Sequence, residues 1–142
     1  MKNLVKGMEM DASNHQVIEV TNPATGEFID TVPNSTEEDV DIAVKAAVVA
    51  QKKWAEVPLH ERGRILERFV ELVERDKEDL AELLCKETGK PITEARGEIS
   101  NTRTFVYAYV ERAKHLYGIN IPTGNEAGHE NDVQFTIRQP LG

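Results

Sequence analysis

A chain of 142 residues is the length of one domain, and a folded domain of that size buries about 70% of its unfolded surface, enough for an apolar core without staples. One cysteine excludes an internal disulfide framework, and a net charge of −8 excludes general attraction to nucleic acid or an anionic membrane. No apolar run reaches the about 20 residues of a membrane helix, and MKNLVKGMEMDASNHQ lacks the apolar stretch and cleavage site of a secretion signal, so a cytoplasmic address is expected.

In chain order, VIEVTNPATGEFIDTVPN (17–34) places two β-rich runs, Val17–Thr21 and Glu27–Val32, around the turn formers NPATG, which predicts a hairpin. Ser35 followed by Glu38 is a capping-box pattern and predicts a helix start there. Val40, Ala43, Val44, Ala47, Val48 and Trp54 then fall on one helical stripe, which Pro58 ends. In the tract LHERGRILERFVELVERDKEDLAELLCKETG, one stripe holds Ile65, Leu66, Phe69, Val70, Leu72 and Val73, and another holds Leu80, Leu83 and Leu84. The polar run Arg75–Asp79 between them predicts a break near 75–76, with Asp76 able to cap the second helix. Gly89 suits a left-handed helix terminus, and Pro91 the first turn of the next helix.

That next helix is predicted over about 91–117, roughly 40 Å long at 1.5 Å per residue, with Gly118 stopping it. Such a length suits a helix lying along a larger body. Finally Val133, Phe135 and Ile137 alternate with Gln134, Thr136 and Arg138, which predicts a half-buried strand over 132–138. Its partner is expected to be the N-terminal hairpin or another chain, since an unpaired strand edge is a liability.

Chemistry is sparse. His15, His60, His115 and His129 are scattered singly, and no zinc-type spacing, Gly-rich phosphate loop or nucleophile elbow occurs. Carboxylates sit mostly on polar helix faces four residues from a base, as in Glu71–Arg75 and Glu82–Lys86. Cys85 lies in the last turn of its helix, where the macrodipole disfavours a thiolate, with Lys86 about 100° away around the helix. It reads as a small packed residue rather than a nucleophile.

In order, the chain carries NPATGE, the A-x-x-A-x-x-x-W helix ending, the R-x-x-x-L helix start, ETGKP with a nearby Glu-Ala, and the closing R-x-P-x-G. This set resembles the N-terminal region of the NAD(P)-dependent aldehyde dehydrogenase superfamily over about residues 17–142. GKPITEARGEI most resembles members acting on semialdehydes, such as succinate-semialdehyde dehydrogenase. The resemblance implies an α/β parent fold with a Rossmann-like cofactor domain, a catalytic domain and a β-rich oligomerisation arm, assembled into dimers or tetramers. The present segment would be mainly helical, with a β-hairpin at 17–34, a helical region at 35–117 and a strand of the arm at 132–138.

It also implies a mechanism: a cysteine thiolate attacks the aldehyde, an Asn and a backbone amide hold the oxyanion, hydride passes to NAD or NADP, and a glutamate activates water to release the acid. In the family the oxyanion Asn follows shortly after the P-x-G motif, and the cofactor lysine, Gly-rich turn, glutamate and cysteine lie farther along. The resemblance therefore gives this chain no catalytic and no cofactor-binding residue, maps Cys85 onto a helix before the Rossmann-like unit, and leaves the segment alone without expected activity. One minor site carries over: some members hold a structural cation with carbonyls just before N-P and a carboxylate after GKP, here Val20, Thr21 and Glu98. Glu98 as a solvated helix glutamate is the competing reading. The alternative to an enzyme's N-terminal part is a non-catalytic helical module that only associates with a full-length homologue.

Overall fold

The computed structural model describes residues 1–125 and 127–141. Ten elements run in the order β1 (Asn3–Val5), β2 (Met8–Met10), β3 (Val17–Thr21), β4 (Phe28–Pro33), α1 (Glu37–Glu56), α2 (Leu59–Arg75), α3 (Lys77–Thr88), α4 (Ile92–Ala113), β5 (Asn120–Ile121) and β6 (Gln134–Phe135). The strands form three separate antiparallel pairs, β1–β2, β3–β4 and β5–β6. The predicted hairpin at 17–34 is β3–β4, with a register shift at Val20/Thr21. Sequence reasoning missed β1–β2, whose signal is the Lys6-Gly7 turn with both residues at positive φ (55° and 75°).

The helix starts follow local chemistry. The α1 cap is Thr36, one residue beyond the predicted Ser35: Thr36 Oγ1 accepts from the Asp39 amide, and the Asp39 carboxylate accepts from the Thr36 amide at 2.8 Å. Asp39 wins over Glu38 because its carboxylate also takes the amide and hydroxyl of Ser13, each at 3.2 Å. The predicted break falls where α2 gives way to α3 around Asp76. Asp76 does not cap through its side chain; both its oxygens receive the Arg75 guanidinium at 2.7 Å. That guanidinium holds the Asp76 carboxyl below its usual range. Arg75 is thereby taken from the expected partner Glu71, which instead pairs with Arg68.

The core is small in residue size. Ala12, Val70, Ala81, Ala95 and Val110 are its buried apolar side chains, and Ala81 and Ala95 are fully inaccessible. Gly63 on α2 is also buried, and a Cβ built there would stand 3.3 Å from Val110 Cγ1 on α4. Small residues at these contacts bring α2 and α3 close against α4. By contrast α1 buries no residue, and Val40, Val44, Val48, Val49 and Trp54 are exposed along it. The fourth helix is shorter than predicted, ending at Ala113.

The C-terminal strand corrects the sequence-based expectation. Only Gln134–Phe135 is a strand, and it pairs with Asn120–Ile121 of the same chain rather than with the N-terminal hairpin. Two close contacts hold it there: the Thr136 amide donates to the Ile119 carbonyl at 2.9 Å, and Thr136 Oγ1 accepts from the Ile119 amide at 2.8 Å. Gly142, the last residue of the R-x-P-x-G motif, lies outside the described residues.

Candidate functional site at the junction of α3 and α4

Every sequence-predicted site residue lies at or near one corner, where the β3–β4 turn meets the α3–α4 connection. The turn is built locally. Asn22 Oδ1 accepts from the Ala24 amide at 2.9 Å, the Asn22 carbonyl accepts from the Gly26 amide at 2.7 Å, and Gly26 supplies a φ of 75°. Gly89 closes α3 at φ 71°, its amide donating to the Cys85 carbonyl at 2.9 Å. A Cβ at Gly89 would lie 3.1 Å from Pro23 Cγ and 3.2 Å from both Ala24 Cβ and Ala24 N. The NPATG turn therefore rests directly on the helix terminus.

Cys85 is half-buried, and its thiol donates to the Lys90 carbonyl at 2.9 Å. No histidine, amine or carboxylate hydrogen-bonds to it among the described residues, so the general base that an activated thiol needs is not assembled. Its contact ties the end of α3 to the chain entering α4. Pro91 stands just before α4 rather than within its first turn, and its carbonyl accepts from the Glu94 and Ala95 amides at 3.0 and 3.1 Å.

The two parts of the expected cation site are placed differently. Val20 and Thr21 sit at the irregular register of β3, next to the turn that touches Gly89. Glu98 is exposed on α4, with the Lys90 ammonium on its carboxylate at 2.6 Å. A cation would have to displace that ammonium. Among the described residues no cluster of three or more His, Cys, Asp or Glu side chains could hold a metal ion. The described residues also contain no Gly-rich turn opening onto a helix that would fit a dinucleotide pyrophosphate, so no chemical step can be derived through NAD or NADP on this chain. No described helix is long and apolar enough to cross a membrane.

Residues 10–142 match the family model described as the aldehyde dehydrogenase family. Over 139 residues, 97% of its length, the chain is 41% identical to a glutarate-semialdehyde dehydrogenase of Pseudomonas putida, of which it covers 28%. It is 37% identical to the NADP(+) succinate-semialdehyde dehydrogenase of Escherichia coli, over 98% of this chain and 28% of that one. Among solved structures, the NADP complex of a glyceraldehyde-3-phosphate dehydrogenase from Bacillus halodurans superposes with a TM-score of 0.83 at 30% identity, covering 88% of this chain and 26% of that chain. The chain thus spans a little over a quarter of the length of these relatives.

Proposed function

The chain belongs to the aldehyde dehydrogenase family, and from that premise we propose that it is the N-terminal scaffold of an enzyme oxidising a semialdehyde to a carboxylic acid with NAD or NADP. The observation that carries this reading is similarity along 97% of the chain to just 28% of a glutarate-semialdehyde dehydrogenase. Substrate and cofactor chemistry belong, in this reading, to the other three quarters of such an enzyme. The 142 residues alone are inactive, because the one thiol lacks a base. Their work is positional: α2, α3 and α4 form a packed unit, and the exposed face of α1 lies against the body of the enzyme.

In the same reading β6 and its flanks join the oligomerisation arm of a soluble, cytoplasmic dimer or tetramer. The exposure of Val133, Phe135 and Ile137 supports this. Val20, Thr21 and Glu98 hold a hard cation in the assembled enzyme, with Lys90 swinging away from Glu98.

The experiment is a chimera in which this chain replaces the matching N-terminal part of the Pseudomonas putida glutarate-semialdehyde dehydrogenase. NAD(P)H formation from glutarate semialdehyde by the chimera, and none by the 142-residue chain, supports the reading. Turnover by the isolated chain, or a folded chimera without activity, overturns it.

A further inference from the structure

Among the ion pairs of the described residues, Lys90 is the least exposed cation: its side chain is 22% exposed, and its ammonium meets a Glu98 oxygen at 2.6 Å. Lys45 and Asp41 are neighbours on a single helix, whereas Lys90 and Glu98 join the α3–α4 connection to the second turn of α4. The backbone that carries Lys90 is held on both sides. Gly89, just before it, lies against Pro23 and Ala24 of the NPATG turn, and the Lys90 carbonyl accepts the Cys85 thiol at 2.9 Å. The ammonium is therefore tethered to this corner and moves only by the reach of its own stem.

The charges around the pair explain why it forms. Lys90 stands just before the start of α4, the positive end of that helix's dipole, which disfavours an ammonium unless a carboxylate offsets it. Glu98 in turn has Glu94 one turn before it on α4, a like charge. Arg96, the neighbouring cation in the sequence of α4, is already held by Glu78 at 2.9 Å. Lys90 thus neutralises Glu98. A metal cation on the same carboxylate would stand a few ångströms from the ammonium, where like charges repel. One of the two has to leave.

We propose that Lys90 is a tethered counter-ion of Glu98, a built-in competitor that a cation must displace and that sets the cation concentration to which this corner responds. This rests on the reading of Val20, Thr21 and Glu98 as ligands of a hard cation, beside the register break of β3. At low cation the ammonium keeps the corner neutral and closed. As cation rises, the ion takes the carboxylate and the ammonium goes to water. An ion pair this exposed on its carboxylate side is weak, so the competition lowers cation affinity by about two- to fivefold and does not abolish it.

The test titrates the chimera described above with sodium chloride and, separately, with calcium chloride, holding ionic strength with tetramethylammonium chloride, and follows the melting temperature. A ligand of the folded state raises it from concentrations near the dissociation constant upward. In Lys90→Gln and Lys90→Met the climb should begin at about two- to fivefold lower cation than in the unmutated chimera. Lys90→Arg, which keeps the charge, should stay with the unmutated chimera, and Glu98→Gln should remove the climb. Arg96→Gln breaks another ion pair between α3 and α4 and should leave the onset where it was. An onset that Lys90→Gln and Lys90→Met leave unmoved, or move to higher cation, overturns this inference alone. A climb that survives Glu98→Gln, or no climb in any variant, sinks the cation-site reading and this inference together. If the chimera does not fold, the scaffold reading falls, and the 142-residue chain followed by circular dichroism gives the same comparison of onsets.

Discussion

Gly89 and Pro23, 66 residues apart in sequence, are in direct apposition: a Cβ at position 89 would stand 3.1 Å from the proline ring. Two independent requirements thus meet at one residue, a φ of 71° and room for the neighbouring turn. Gly89→Ala should cost about 1–2 kcal/mol for the left-handed backbone alone, and more once Pro23 and Ala24 must shift. Gly89→Asn, which tolerates that conformation better, should recover part of the backbone cost and none of the contact. Urea midpoints of the chimera carrying each variant, at unchanged slope, measure the two contributions.

At the start of α1, Thr36→Ala should cost about 1 kcal/mol through loss of the cap. The partner carboxylate adds a pH signature. The Thr36 amide first, then the Ser13 amide and the two hydroxyls, hold the Asp39 pKa below its ordinary 3.8. A lowered folded-state pKa means that the contribution is complete above the ordinary value and fades as pH falls through the lower one. Helix content should accordingly drop on acidification below about pH 4 in the unmodified chain. Asp39→Asn should flatten that part of the curve; an unchanged acid limb would sink the assignment.

The pair Ser35/Thr36 also shows what the sequence could and could not reveal. S-x-x-E and T-x-x-D overlap by one residue, and local pattern favours neither. Ser13, 23 residues upstream of Thr36, decides the matter by bonding Asp39, and such long-range contacts leave no periodic trace. The four helices were legible because their apolar stripes, proline boundaries and Gly89 act locally. The β5–β6 pair was not: its partner strand, Asn120–Ile121, has two residues and no alternation to read. The candidate site divides in the same way. The reading of Cys85 as a packed residue rests on its place at a helix end, whereas the Lys90 ammonium on Glu98 follows from how the chain turns after Gly89.

Cys85→Ala tests that reading of the thiol. Removing it deprives the Lys90 carbonyl of a donor and should cost about 0.5–1 kcal/mol of stability. In the chimera kcat/KM should stay within about twofold of the parent if Cys85, its thiol bonded to the Lys90 carbonyl, serves packing alone. A fall of about a hundredfold or more, with the fold intact, would make Cys85 part of the active site.

Ala81 and Ala95 are both fully inaccessible. Ala81→Leu should separate α3 from α4 and cost about 1–3 kcal/mol by overpacking. At Val44, exposed on α1, substitution by Ala in the isolated chain should change stability by no more than about 0.5 kcal/mol. In the chimera the same change at Val44 should cost about 1 kcal/mol if α1 lies against the body of the enzyme. Denaturant midpoints in the two contexts separate these outcomes.

The bare apolar face of α1 sets a timing problem for synthesis. If the chain is the N-terminal quarter of such an enzyme, as proposed above, α1, with no residue buried by its own neighbours, emerges from the ribosome before the body proposed to cover it. In a parent of the relatives' length, the remaining polypeptide would take on the order of half a minute to translate at about 5–20 residues per second. For that interval the exposed Val44, Val48, Val49 and Trp54 would form a sticky nascent surface, of the kind chaperones that screen growing chains would bind.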